Sequence, residues 1–215
     1  MPTSTFFRLP EEKRQRLIDA AWEEFSRASF SDASINRIIH EARIPRGSFY
    51  QYFTDKEDLF WYLVSGVREH ISNVFQQTLK RTGGDIFLVP EQVFDKFVGA
   101  EHDIDPWLKR MVQVAQLNQG MDFQRFISEG VETMPEWILK ESNCREFRQQ
   151  DEAFIHNVFF LTLAALAFSI METMRKPEWR AEYRDTLRQK IDIIKYGSLA
   201  PAAIQARSIK EVTTC

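Results

Sequence analysis

Hydrophobic residues recur every three or four positions along most of the chain, the spacing that lines one face of an amphipathic helix. After Pro10, the repeat of Leu17, Ala21 and Phe25 predicts a first helix over residues 11–27. The repeats that follow predict further helices over residues 35–42, 45–53, 55–81, 87–98, 105–118, 123–140, 151–175 and 177–196. The pattern therefore predicts an all-α fold.

The composition agrees with this fold and narrows the classes of function. The chain has 8 glycines and 8 prolines among 215 residues, fewer than turn-dense all-β proteins use. A formal net charge of −3 argues against a generally polyanion-binding protein, so any contact with nucleic acid must be a local patch. Cys144 and Cys215 form no disulfide or metal-binding pattern, and residues 1–10 show no signal-peptide pattern. We therefore expect a cytoplasmic protein.

Residues 153–171 contain no Asp, Glu, Lys or Arg, and this length approaches that of a membrane span. Polar side chains such as His156 and Asn157 interrupt the segment, which favours a helix buried in a core or subunit interface over a membrane helix. One chain of this size supplies too few partners for such a helix, so we expect a homodimer. The predicted interface, a four-helix bundle about a two-fold axis, contains Ala164, Ala167, Phe168, Met171, Leu187, Ile191 and Ile194.

The two short predicted helices, joined by a tight turn and preceded by a longer helix, have the layout of a helix-turn-helix DNA-binding motif. In the second short helix, Phe49 and Phe53 are expected to face the core. The opposite side carries no carboxylate and comprises Arg46, Gly47, Ser48, Tyr50, Gln51 and Tyr52. Arg and Gln side chains can make paired hydrogen bonds to guanine and adenine, respectively. The alternative is that Tyr50 and Tyr52 merely pack a small three-helix core.

The segment SINRIIHEARIPRGSFYQYFTDKEDLF, residues 34–60, resembles the DNA-binding region of the TetR/AcrR (tetracycline-repressor) family of bacterial regulators. The similarity covers about residues 11–71. It implies an all-helical homodimer whose third helix reads the major groove, while its C-terminal helices form an effector pocket and the dimer interface. By position, Ser34, Tyr50, Tyr52 and Lys56 resemble the family's phosphate contacts, and Asn36, Arg46, Gly47 and Gln51 its base contacts. Arg37 and Ser48 complete the predicted DNA-binding set.

Two positions depart from the family pattern. Arg43 occupies the turn position that is usually glycine, where a positive φ costs a non-glycine residue about 1 kcal/mol. Ile39 stands where a small alanine is usual and needs more room against the third helix.

The resemblance and the helical pattern together predict three parts of the chain. Residues 11–71 form the helix-turn-helix domain, residues 72–200 a ligand-binding and dimerisation domain, and residues 201–215 a loose tail. A pocket for a small apolar or aromatic effector is predicted from helical stripes at Trp61, Phe75, Trp107, Gln113, Gln116, Phe123, Phe126, Asn157 and Phe159. The predicted function is a ligand-responsive repressor that the effector releases from a palindromic DNA operator.

Two other classes of function remain open, a helical small-molecule-binding enzyme and a non-DNA-binding interaction protein. Against an enzyme, the chain contains no GxGxxG, P-loop or GxSxG motif. Glu101, His102, Asp103 and Asp105 suggest either an oxygen-rich metal site or, more commonly, a solvated loop. We therefore predict no cofactor, no metal and no catalytic residue.

Overall fold

The computed structural model describes residues 1–99, 103–118 and 136–205. These residues form two compact units. Unit 1 contains residues 1–71 and 106–118, and unit 2 contains residues 72–99, 103–105 and 136–205. The regular structure of the described residues is helical, with two isolated β-bridges, Val98 to Ile104 and Phe147 to Leu199. The all-α prediction is confirmed.

Unit 1 is a bundle of helices around an aromatic core. Its helices are α1 (Ser4–Phe7), α2 (Glu11–Arg27), α3 (Ile35–Glu41), α4 (Arg46–Tyr52), the first part of α5 (Lys56–Arg81), and α7 (Pro106–Leu117). The core side chains are almost fully buried and include Leu17, Trp22, Phe25, Ile38, Phe49, Phe53, Leu59 and Phe60. Helix α1 was not predicted from the sequence.

Helix α7 belongs to unit 1, although it was predicted to be part of the 72–200 domain. Trp107 packs edge-on against Trp22 at a centroid distance of 6.2 Å and stacks on His70 at 5.7 Å. Val114 is fully buried, and the Asn118 side-chain oxygen accepts a hydrogen bond from the Phe30 N–H. The apolar face of α7 therefore completes the core of unit 1.

Unit 2 contains the rest of α5, then α6 (Val89–Phe97), α8 (Glu136–Glu141), α9 (Glu152–Arg175) and α10 (Arg180–Ser198). Short 3-10 turns lie at Cys144–Glu146 and Pro177–Trp179. Helix α10 is joined to α6 by ion pairs between its arginines and the carboxylates of α6. Arg184, for example, donates hydrogen bonds from both Nε and Nη2 to Asp95. Residues 201–205 are helical, and residues 206–215 of the predicted tail lie outside the described part of the chain.

The Gly83-Gly84 pair terminates α5. Both glycines have a positive φ, 66° and 85°, and the Gly84 N–H donates to the Leu79 carbonyl, as in a Schellman helix end. A Cβ atom at Gly84 would lie 2.4 Å from the Glu141 carbonyl oxygen, whereas one at Gly83 would meet nothing within 4 Å. Gly84 is thus required both by its conformation and by the close approach of the chain around Glu141.

The outward face of α9 is apolar. Ala164, Ala167, Phe168 and Met171 of the predicted interface are exposed there, together with Phe160 and Leu161. Leu187 and Ile191 of α10 are buried inside the subunit, so their assignment to a dimer surface was wrong, and Ile194 is only partly exposed. By length and composition alone α9 also passes as a membrane span, with a mean hydropathy of 1.9.

Candidate DNA-binding site

The turn between α3 and α4 keeps a left-handed residue without glycine. Arg43 has φ 54°, in the region that favours glycine, and the turn closes through a 3.0 Å hydrogen bond from the Ile44 N–H to the Ile39 carbonyl. Pro45 then precedes α4 with an extended backbone and supplies the N-cap position. The turn therefore keeps a positive φ, although Arg43 stands at the position that is usually glycine.

Helix α4 places Phe49 inward and several polar residues outward. Phe49 is fully buried, whereas Arg46, Gly47, Tyr50 and Gln51 are exposed. A Cβ atom at Gly47 would meet no atom within 4 Å, so nothing in this structure requires glycine there. The exposed side of α4 thus offers a guanidinium, an amide and a phenol, with a bare stretch of backbone beside them.

A buried carboxylate fixes α3 against α2. The Glu24 side chain is 2% exposed, and its oxygens accept hydrogen bonds from Arg37 Nε and Nη2, from Arg27 Nη2 and from the Ser34 N–H. Burial raises the pKa of Glu24, but these hydrogen bonds outweigh it and lower the pKa to about 2. Glu24 therefore stays ionised and holds the N-terminal end of α3.

Lys56 holds the loop that precedes α3. Its Nζ donates to the carbonyl oxygens of Ser31 and Ala33 at 3.1 and 2.9 Å and lies 4.8 Å from the centroid of the Phe30 ring. An ammonium group has three N–H donors, and these two carbonyls engage two of them. The lysine therefore fixes the loop, and its predicted phosphate contact, which stays a prediction, would have to use the third donor.

The comparisons with known proteins agree on this region. A family model described as "Bacterial regulatory proteins, tetR family" matches residues 17–63. Residues 17–63 are thus similar to the DNA-binding region of the tetR family of bacterial regulatory proteins. The chain is similar to YdgC of Bacillus subtilis, an uncharacterized HTH-type transcriptional regulator, with 31% identity over 100 residues, 43% of this chain and 51% of that protein. The match thus spans about half the length of that relative.

Two solved structures share the fold of this chain. A tetR-family regulator from Streptomyces coelicolor has a TM-score of 0.57 at 17% identity, over 86% of this chain and 80% of that one. SmeT, solved in complex with triclosan, has a TM-score of 0.59 at 16% identity, over 89% of this chain and 93% of that one. The region that matches the family model, residues 17–63, contains the helix-turn-helix motif, and the relative YdgC is named as an HTH-type transcriptional regulator.

Most of the predicted DNA-binding residues are exposed or partly exposed in unit 1, and two of them have an environment that was not expected. Asn36, Arg46, Gly47, Tyr50 and Gln51 are exposed, and Ser34 and Ser48 are partly exposed. Tyr52 is only 8% exposed and packs against Phe6, so its predicted place on the exposed side was wrong. The Arg37 side chain is half exposed, but its guanidinium is bound to Glu24.

The predicted effector-binding residues that the structure describes are divided between the two units. Trp61, Trp107, Gln113 and Gln116 belong to unit 1, and both glutamines are exposed. Trp61 borders an open cleft of about 570 Å³ near the start of α5. In unit 2, Phe159 packs edge-on against Phe75 at 6.1 Å. Asn157 is exposed on the apolar side of α9, which contradicts a place inside a cavity.

Other predicted residues lie outside the described part of the chain, namely Phe123, Phe126, Glu101 and His102. Glu24, the residue that organises α3, was not predicted from the sequence. A signal was present, because Glu24 follows Leu17, Ala20 and Ala21 on the apolar stripe of α2, where an acidic side chain needs a buried partner.

Proposed function

We propose that this regulator is a homodimeric repressor of the cytoplasm that binds a palindromic DNA operator through α4. The supporting observation is the exposed side of α4, which carries no carboxylate and presents Arg46 and Gln51 from a helix whose other side is buried. Base-reading hydrogen bonds come from these side chains, while Tyr50 and Ser34 contact phosphates. Two copies of α4 about 34 Å apart then occupy successive major grooves.

Gly47 supports close contact between α4 and DNA. Glycine in a helix costs about 1 kcal/mol relative to alanine, and the open space around Gly47 offers no compensation inside the protein. A helix without a side chain at this position lets a phosphate or a base edge approach the backbone. The proposal thus accounts for a glycine that the fold itself does not need.

The second copy is proposed to cover the apolar side of α9. Phe168 and Met171 are 55% and 59% exposed there, and Ile193 of α10 is 74% exposed. Exposed apolar side chains of this number on adjacent helices indicate an interface. Asn157 is then a polar residue of the same interface, and no membrane is involved.

The effector is proposed to be a small apolar or aromatic molecule that binds unit 2. Support comes from the aromatic side chains of this unit, including the Phe75–Phe159 pair, and from the triclosan complex of the similar protein SmeT. An effector that binds better to a conformation unable to span two half-sites lowers the population that binds DNA. This makes the regulator a repressor that its ligand releases.

Replacing Gly47 by alanine tests the DNA-binding part. A preferred duplex is first selected from a random library with the wild-type protein, and affinities for it and for a scrambled duplex are measured by fluorescence anisotropy. Gly47→Ala is expected to raise the thermal midpoint slightly, since alanine favours the helix, and to weaken binding to the selected duplex at least tenfold. A variant that is more stable and binds as tightly as the wild type contradicts the proposed contact.

A further inference from the structure

The residues before α2 close the C-terminal end of α4. Thr3 has an extended backbone, its N–H donates to the Tyr52 carbonyl at 2.9 Å, and its hydroxyl donates to the Gln51 carbonyl at 2.6 Å. The last carbonyls of a helix have no partner within the helix. Two of those at the end of α4 are therefore satisfied by a single residue about 50 positions earlier in the chain.

Phe6 anchors this segment in the core of unit 1. Its side chain is fully buried, with ring-centroid distances of 4.9 Å to Phe53, 5.3 Å to Tyr62 and 6.3 Å to Tyr52. Helix α1 contributes this ring one turn after Thr3, so the anchor and the hydrogen bonds belong to one short segment. The segment thus contacts both the end of α4 and the start of α5.

The length of α4 makes this contact important. A helix of seven residues has little stability of its own, so its direction depends on its packing and on the groups that close its ends. Gln51, whose side chain is proposed to read a base, has its own carbonyl held by Thr3. A shift of α4 at this end therefore moves Gln51 more than it moves Arg46, which lies at the other end.

We propose that residues 3–6 position the DNA-binding helix, with Thr3 and Phe6 as positioning residues that set how well the chain discriminates its preferred DNA sequence. The inference builds on the proposed contact of α4 with DNA. The residues concerned lie before the stretch, residues 17–63, that matches the family model. Thr3 acts through Gln51 and needs no contact with DNA.

The test compares three substitutions at two threonines. Thr3→Val removes the hydroxyl at nearly constant volume and keeps the backbone N–H, Thr3→Ser restores the hydroxyl, and Thr5→Val makes the same chemical change at an exposed residue of α1. Each full-length variant is titrated against the selected and the scrambled duplex. Hydrogen exchange of residues 46–53 is measured by mass spectrometry without DNA.

Thr3→Val is expected to bind the selected duplex about three- to tenfold more weakly, the range of one lost hydrogen bond, and the scrambled duplex almost unchanged. Exchange of residues 46–53 should be faster by a similar factor, while Thr3→Ser and Thr5→Val behave as the wild type. Unchanged exchange and unchanged sequence discrimination in Thr3→Val overturn the proposal. An equal loss on both duplexes also overturns it, because that indicates general destabilisation.

The two proposals fail in different ways. If the wild-type chain prefers no duplex over a scrambled one, the proposed DNA-binding function fails. In that case, faster exchange of residues 46–53 in Thr3→Val alone still supports the hold of Thr3 on α4, and unchanged exchange refutes it.

Discussion

Glu24→Gln removes one negative charge from the buried position that joins α2 to α3 and leaves the size of the side chain unchanged. In the wild type the carboxylate accepts hydrogen bonds from Arg37, Arg27 and the Ser34 N–H. The amide that replaces the carboxylate has only one oxygen that can accept these hydrogen bonds. Its NH2 group is itself a donor and faces other donors, so it cannot accept any of them. Arg37 and Ser34 then lose hydrogen bonds, and the N-terminal end of α3 is loosened.

The pKa of Glu24 gives the size of the effect. It falls from 4.5 to about 2 on folding, and each unit corresponds to about 1.36 kcal/mol, which gives roughly 3 kcal/mol. Arg27 and Arg37 are more than half exposed, so solvent screens part of this interaction and we expect about 2–3 kcal/mol. Because the folded pKa is the lower one, this stability is present above about pH 5 and is lost as the pH falls toward 2.

Urea unfolding followed by circular dichroism, with hydrogen exchange of residues 34–41 at pH 7, measures the difference between wild type and Glu24→Gln. Glu23→Gln, an exposed neighbour on the same helix, is the matched control and is expected to change stability by less than about 0.5 kcal/mol. At pH 3.5 the difference in the free energy of unfolding between wild type and Glu24→Gln should be roughly 40% smaller than at pH 7. Equal effects of the two substitutions, or a gap that does not depend on pH, refute this reasoning.

Three further substitutions test local features by urea unfolding. Arg43→Gly should stabilise the chain by about 0.5–1 kcal/mol because it relieves a positive φ, and a loss of stability speaks against this conformation. Gly83→Ala should lower the free energy of unfolding by about 1 kcal/mol and Gly84→Ala by about 3 kcal/mol or more, because only the Cβ atom added at Gly84 would clash with the Glu141 carbonyl oxygen. Equal losses in the two variants would contradict the close approach of the chain at Gly84. Asp95→Asn should lower the free energy of unfolding by about 1 kcal/mol, and by less at high salt, because Asp95 is partly exposed. The hydrogen bonds from Arg184 hold the pKa of Asp95 below its usual value, so the carboxylate is stabilised by this pair. An unchanged free energy of unfolding would show that the pair contributes nothing to stability.

The helical pattern predicted the long elements of this fold well because each has an apolar side that repeats over several turns. Helix α1 was missed for the opposite reason, since four residues are too few to show a period. Because α1 was not predicted, Tyr52 was wrongly expected to be exposed. Its neighbour Phe6, which lies in α1, is far away in the sequence. The residue type indicated an exposed phenol, and a contact across 46 positions of the chain made it a core residue.

The predicted sites differ in how local their determinants are. The turn and α4 could be predicted because they are adjacent in sequence, whereas the contacts of α4 with DNA stay a prediction. The effector residues were chosen from stripes on separate helices, and helical periodicity cannot tell an inward stripe from an outward one when both are apolar. Asn157 and Leu187 show the two errors, one assigned inward and found outside, the other assigned outward and found inside.

The apolar side of α9 gives a prediction with a well-matched control. Leu161 on α9 and Leu88 before α6 are both leucines of unit 2, and both are 52% exposed. If α9 forms the dimer interface, Leu161→Glu places two charges in a dry contact and should give a particle of one chain mass, 25.3 kDa, by light scattering. Leu88→Glu should leave twice that mass, because an isolated exposed leucine needs no partner. A Leu161→Glu protein that remains dimeric, or equal dissociation of both variants, would place the interface elsewhere on the chain.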